Sequence, residues 1–450
     1  MRSWRMRVSV RASLWALTAA LFLSLTSLAQ ATKIERVVSP GGIEVWLVQD
    51  KTVPLISMDF AFHGGAAQDP VDKAGVANMV SGLLDEGAGE LDSKTFHERL
   101  EEKAIQLGFN VGRDHFRGWL RTLVENREQA VELLRLALTA PRFDPDEVEL
   151  VRAQVVARLT RETTSPNDIS SKRWWSTAFP EHPYGRPVSG TLESVPQIAV
   201  GDLKNYTRRV FAKDKLKIAV VGDIDAAATG ALVDRVFGSL AAKAELAPVS
   251  DAQPDGLGRR MAVDLNVPQA AVTFGGLGIG RKDPDFMAAY ILNHILGGGS
   301  FSSRLYREVR EKRGLAYSVH SQLVWLDHAA LLMGGTGTRS ERAGETVDLI
   351  EQEIRRLAES GPTDEELAQA KSYLKGSYAL GFDTSAKIAG QLVQIQLDDL
   401  GIDYINRRSA MIDAVTIADL RRVTKRLLDG GFLVTVVGRQ QNASTKGQGG

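Results

Sequence analysis

The chain has 450 residues, 55 basic and 55 acidic side chains, no cysteine and 44% hydrophobic composition. This length supports more than one core, and 24% charged residues in mixed order exclude wholesale disorder. The absence of cysteine excludes disulfides, thiolate zinc sites, cysteine nucleophiles and cysteine-linked lipid, while the balanced charge argues against a nucleic-acid-binding protein.

Residues 1–31 carry Arg2, Arg5, Arg7 and Arg11 and no acid, which leaves 51 basic against 55 acidic residues, a net −4, in the remainder. An apolar run over 14–28 ends in Ala29-Gln30-Ala31, the layout of a secretory signal peptide with its cleavage site. The run is short for a bilayer span. The expectation is an exported chain that begins at Thr32, is soluble in the periplasm and keeps no membrane contact after cleavage.

The rest of the chain repeats itself. Leu55-Ile-Ser-Met-Asp-Phe-Ala-Phe-His-Gly-Gly65 matches Ala270-Ala-Val-Thr-Phe-Gly-Gly-Leu-Gly-Ile-Gly280 at an offset of 215. Lys215-Leu-Lys-Ile-Ala-Val-Val-Gly222 matches Gly431-Phe-Leu-Val-Thr-Val-Val-Gly438 at 216. The segments 102–108 and 310–316 correspond loosely. Each copy reads as an opening strand pair, an apolar helix, a second helix, more strands, two charged helices and a closing strand. Apolar spacing at Val131, Leu134 and Leu138 predicts a helix over 127–140. Asp144-Pro145 starts a helix over 146–162, and Thr363 caps one over 365–380. Pro248, Pro254 and turn residues mark 241–259 as an exposed linker. The predicted fold is α+β, with two duplicated domains, 32–240 and 260–440, each a mostly antiparallel sheet covered by helices on one face. A disordered tail is expected over 441–450.

The chemistry-bearing residues are sparse. The seven histidines are His63, His97, His115, His182, His294, His320 and His328, and no two stand at i, i+3 or i+4. Any zinc site would have to be assembled from distant parts of the chain, and each histidine taken singly reads as structural or surface. Gly297-Gly-Gly-Ser-Phe-Ser-Ser-Arg304 lacks the Gly-Lys-Ser/Thr ending of a phosphate loop and follows a helix. No Gly-x-Ser-x-Gly elbow exists, which removes that serine-hydrolase arrangement. The charge run Arg307-Glu-Val-Arg-Glu-Lys-Arg313 reads mostly as a solvated helix face.

Several segments together resemble the pitrilysin and insulinase family of zinc peptidases, which includes the mitochondrial processing peptidases. They are Lys73 to Gly87, His182-Pro-Tyr-Gly-Arg-Pro-Val-Ser-Gly-Thr-Leu-Glu-Ser-Val195, Tyr206 to Asp225, and above all Ser300-Phe-Ser-Ser-Arg-Leu-Tyr-Arg-Glu-Val-Arg-Glu-Lys-Arg-Gly-Leu-Ala-Tyr-Ser-Val319. The resemblance spans nearly all of 33–440 and implies that family's two-domain fold.

Active members carry H-x-x-E-H, in which two histidines bind zinc and the glutamate is the general base. The matching positions here are Asn78-Met-Val-Ser81-Gly82. The family's third ligand, a glutamate about 76 residues further on, falls on Arg158. The resemblance therefore implies a degenerate metal site at Asn78, Ser81, Gly82 and Arg158, and no zinc in this chain. An arginine and a tyrosine that hold substrate and stabilise the oxyanion match Arg310 and Tyr317, on the last turn of a helix closed by Gly314 and on the following strand.

Together these imply a non-catalytic subunit of an exported heterodimeric zinc peptidase. Its homologous H-x-x-E-H-bearing partner would hold the zinc, and Arg310 and Tyr317 would complete that partner's site for peptide hydrolysis. The alternatives are a purely structural or peptide-holding subunit, or a peptidase with an unrecognised site.

Overall fold

The computed structural model describes residues 33–439. The expected signal peptide and C-terminal tail lie outside them. No helix among the described residues is long and apolar enough to cross a membrane.

The first half opens with β1 (Ile34–Val38), β2 (Glu44–Gln49) and β3 (Leu55–His63). These are followed by α1 (Val76–Ser81), α2 (Ser93–Glu102), β4 (Gln106–Val111) and β5 (His115–Leu123). Four helices come next: α3 (Arg127–Thr139), α4 (Pro145–Glu162), α5 (Pro166–Ala178) and α6 (Val200–Val210). The half closes with β6 (Lys217–Gly222) and α7 (Ala226–Phe237). Its sheet runs β1-β2-β6-β3-β5-β4, antiparallel except for the parallel pair β2–β6.

The second half repeats the plan. It contains β7 (Arg260–Asp264), β8 (Gln269–Leu277), α8 (Phe286–Asn293), β9 (Ala316–Trp325) and β10 (Ala330–Arg339). Five helices follow: α9 (Ala343–Ser360), α10 (Asp364–Gly376), α11 (Ser385–Leu397), α12 (Tyr404–Ala414) and α13 (Ile417–Leu428), before β11 (Leu433–Gly438). The sheet order is β7-β11-β8-β10-β9, with β7–β11 parallel. The duplication and the mostly antiparallel sheets of the sequence reading are present. The two closing helices expected in each copy are instead four and five. The expected 365–380 helix keeps its Thr363–Glu366 capping box but gives way to a 3-10 stretch at Ser377–Phe382.

Pairing corrects the repeat register. β3 aligns Ala61 with Lys217, and β8 aligns Gly275 with Leu433. With β6 and β11 equivalent at 216, β3 and β8 are equivalent at 214, one residue from the sequence match. Their burial patterns along the strand are identical in that register. Since a one-residue slip turns every side chain to the other face, the shift matters. It makes Phe60 equivalent to Phe274, and each ring lies across a glycine on the neighbouring strand, Gly118 or Gly334. A methyl group at either glycine would overlap the ring.

Each sheet packs one face on its own helices, as alternation along β5 requires: Phe116, Gly118, Leu120 and Thr122 point into the core. The expectation of helices on one face alone is incomplete, because the halves exchange a helix. α5 lies on β8 and β11 of the second sheet, and α11 lies on β3 and β6 of the first. Trp46, Val48, Ala61, Ala219 and Val221 of the first sheet thus belong to the apolar cluster of the second half. A third cluster joins Trp174, Phe179 and Tyr184 to Leu331, Met333 and Leu433. Residues 241–259 form no helix or strand. They are nevertheless tied down: Ala247 exchanges two hydrogen bonds with the Gln68 side chain, and the Ala252 and Asp255 amides donate to His328 and Ala178 carbonyls.

Candidate functional site

α1 is a six-residue helix entered through Gly75, whose φ of 104° suits glycine. Asp69 fixes its start by accepting from the Gly75 and Ala77 amides at 2.8 and 3.0 Å. Burial pushes the Asp69 carboxyl up to about 7 against the pull of those bonds. Val76, Ala77, Met79 and Val80 turn into the core, which leaves Asn78, Ser81 and Gly82 together on the opposite face at i, i+3 and i+4. That face meets α4, whose Val148, Val151, Val155 and Leu159 are buried. Val151 lies beside Gly82. Two turns on, Arg158 donates to Asn78 Oδ1 at 3.5 Å, a long contact, and Ser81 Oγ donates to the Asn78 carbonyl. Glu162 lies 3.9 Å from Arg158 and 2.7 Å from Lys172.

The four residues assigned to one degenerate site are thus neighbours in space, although 80 positions separate Asn78 from Arg158. The donor set does not suit zinc. An amide, a hydroxyl, a glycine and a guanidinium offer neither imidazole nor carboxylate, and the fixed cation repels a dication. The backbone would accept the missing ligands, because Gly82 has φ −94° and a Cβ there makes only ordinary van der Waals contacts, with Val151 Cγ1 at 3.4 Å the nearest. The combined Asn78→His, Ser81→Glu, Gly82→His and Arg158→Glu variant is therefore expected to bind one more equivalent of zinc than the wild type. The same variant without Arg158→Glu should not. Metal analysis after dialysis checks this, and an unchanged zinc content in the fourfold variant contradicts it. Peptidase activity is not expected to return, because residues that orient metal ligands are missing as well.

Arg310 and Tyr317 sit on two irregular elements. Arg310 lies in a wide helical turn over Tyr306–Glu311, at whose end the Lys312 amide reaches back to the Arg307 carbonyl. Gly314, at φ 56°, closes it: its amide bonds the Arg310 carbonyl, and the Leu315 amide bonds the Val309 carbonyl. β9 is an edge strand of the second sheet. Thr336 pairs with Val319 and Thr338 with Ala316, so Tyr317 and Ser318 together oppose Gly337 in a bulge. The bulge interrupts alternation and turns the Tyr317 side chain outward, 84% exposed. The Arg310 guanidinium lies between the rings of Tyr306 at 4.9 Å and Tyr317 at 5.2 Å, an arrangement that holds cation and phenol together. Of the neighbouring charge run, only Glu308 is buried, paired with Lys312 and Arg313.

Among the described residues, no hydrogen bond, ion pair or ring contact joins Arg310 or Tyr317 to the Asn78–Arg158 cluster. Within the chain the two sets are separate. The bulge was not legible in sequence, because a Tyr-Ser step looks the same in a regular strand. Histidine spacing also hid a second cluster, in which His63 and His115 meet across β3 and β5.

The two sheets are built to one plan and exchange a helix, which defines a duplicated, two-domain α+β fold. The family profile for insulinase (peptidase family M16) matches residues 44–192, and that for the peptidase M16 inactive domain matches 197–374. The chain belongs to the insulinase (M16) peptidase family. It is 27% identical over 421 residues to an uncharacterized zinc protease of Mycobacterium leprae, with 93% of this chain and 94% of that one covered. It is 27% identical over 349 residues to a protein of Helicobacter pylori named a non-peptidase homolog, covering 77% and 80%. A crystal structure of a peptidase M16 inactive domain from Pseudomonas fluorescens superposes with a TM-score of 0.85 at 26% identity, covering 91% of this chain and 98% of that one.

Proposed function

We propose that this chain is the non-catalytic subunit of an exported heterodimeric zinc peptidase. It completes the active site of a homologous H-x-x-E-H-bearing partner, which holds the zinc and hydrolyses peptides. The observation that carries this reading is a contrast between the halves. The first half has Arg158 against Asn78 where a metal would sit, whereas the second half presents Tyr317 to solvent on an edge strand with the Arg310 guanidinium over its ring. A phenol used within its own chain would normally be covered; one offered to a partner's substrate must be accessible. Relatives at similar distance include a protein named a non-peptidase homolog as well as proteins named zinc proteases, which suits a family that contains both kinds of subunit.

Export to the periplasm belongs to the same reading and rests on the signal-like residues 1–31. A tagged copy recovered from periplasmic extract is expected to bring down, in equimolar amount by native mass spectrometry, a homologous chain containing H-x-x-E-H. Recovery of the tagged chain alone, or with only copies of itself, contradicts the proposal.

A further inference from the structure

A cleft of about 850 Å³ lies between the halves. At its wall three side chains converge, two from strand ends and one from a turn. His63 closes β3 and His115 opens β5, directly opposite one another in the register, with ring centroids 4.7 Å apart. Asp327 comes from the second half, on the turn joining β9 to β10. Its Oδ2 lies 3.1 Å from His63 Nδ1 and 3.5 Å from His115 Nε2. All three ligand atoms lie within 4.8 Å of one another.

Several features separate this cluster from a chance ion pair. His115 Nε2 is buried and lacks a hydrogen-bond partner, since 3.5 Å is too long for a well-formed bond. A buried nitrogen without a hydrogen-bond partner is costly. Both imidazoles converge on one carboxylate oxygen, although a single proton between His63 and Asp327 can satisfy only one of them. Ligand atoms about 2.0–2.2 Å from a tetrahedral metal lie about 3.3–3.6 Å apart, close to the two separations seen.

The carboxylate is also held in place. The Asp327 amide donates to Asp114 Oδ2 at 3.0 Å, and Asp114 Oδ1 accepts from the Tyr184 hydroxyl, which in turn accepts from the His328 amide.

We infer that His63, His115 and Asp327 form a binding site for one divalent transition-metal ion that ties the two halves together at the cleft. Two imidazoles and a carboxylate would supply three ligands, as many as an open zinc site takes from protein, and these residues line the cleft together with Arg117 and Arg281. This site is distinct from the degenerate family position. The expectation of a zinc-free chain came from Asn78, Ser81, Gly82 and Arg158, and none of those residues takes part.

The test uses the mature chain, freed of metal with chelator and dialysed, then titrated with zinc and separately with cobalt(II). Binding of one equivalent with a dissociation constant in the micromolar range or tighter is expected, with the intense visible bands of four-coordinate cobalt. His115→Ala and Asp327→Asn, checked for folding by circular dichroism, should each weaken binding by on the order of 100-fold. His97→Ala, at a histidine elsewhere on the first half, should leave it unchanged. Wild-type protein that takes up less than about a tenth of an equivalent under these conditions overturns the site, as does binding that survives both substitutions. The wild-type titration decides the matter even if a variant fails to fold.

Discussion

Tyr317→Phe is expected to lower the kcat of the complex with the zinc-bearing partner by about 100–1,000-fold, the usual effect of deleting one oxyanion donor, with assembly unchanged. The substitution removes only the hydroxyl. Because the ring is 84% exposed on a bulged edge strand, no core contact goes with it, and the folded chain should keep its stability. Phenylalanine also retains a face for the Arg310 guanidinium, so the pair stays together.

Arg310→Ala should lower kcat and also raise KM, because it removes both the charge that holds substrate and the cation that positions the phenol. Arg307 provides the control. It lies in the same wide turn but points to Glu366 at 3.5 Å in an exposed pair, so Arg307→Ala should alter turnover less than about twofold, as an exposed ion pair of this kind implies. The readout is steady-state hydrolysis by the purified complex, with partner affinity measured separately. Unchanged turnover with Tyr317→Phe removes the divided-site mechanism and leaves a structural or peptide-holding role.

The second large effect concerns the exchanged helix. Trp174→Ala is expected to destabilise the chain by about 3–5 kcal/mol, a large part of the 5–15 kcal/mol typical of a folded protein. Trp174 is fully buried in the cluster between the halves. Its indole lies over Gly275, where any side chain would collide with the ring, and its Nε1 donates to the Leu433 carbonyl at 2.9 Å. Truncation leaves a cavity and an unpaired carbonyl in one step. Trp174→Phe should cost less, since it keeps most of the apolar volume and loses the hydrogen bond. Urea unfolding followed by circular dichroism measures both. A loss below about 1 kcal/mol for Trp174→Ala, against the usual cost of emptying a core site, would mean that the halves do not depend on the exchanged helix.

That exchange shows where local pattern stops. β6 and β11 are legible as apolar runs closed by glycine, and α4 as an amphipathic helix after Asp144-Pro145, because each obeys a rule contained in its own residues. α5 and α11 bury side chains against the opposite half, and nothing in residues 166–178 says which sheet Trp174 will cover. The one-residue slip between β3 and β8 has a related cause. Glycines line up at either offset, whereas pairing partners and burial choose one.

The candidate site divides the same way. Family resemblance brought Arg158 to Asn78 across 80 positions, and the structure places them in contact. Composition and spacing could not have done so. His63, His115 and Asp327 were invisible for the opposite reason. They match no motif, and only the β3–β5 register and the β9–β10 turn bring them together.

The most direct test of the account is hydrolysis of a fluorogenic peptide by the H-x-x-E-H-bearing partner, measured alone and with one equivalent of this chain. The account predicts background rates for each chain separately and zinc-dependent turnover for the mixture. Turnover by this chain alone, or a partner whose rate is the same with and without it, would contradict the account.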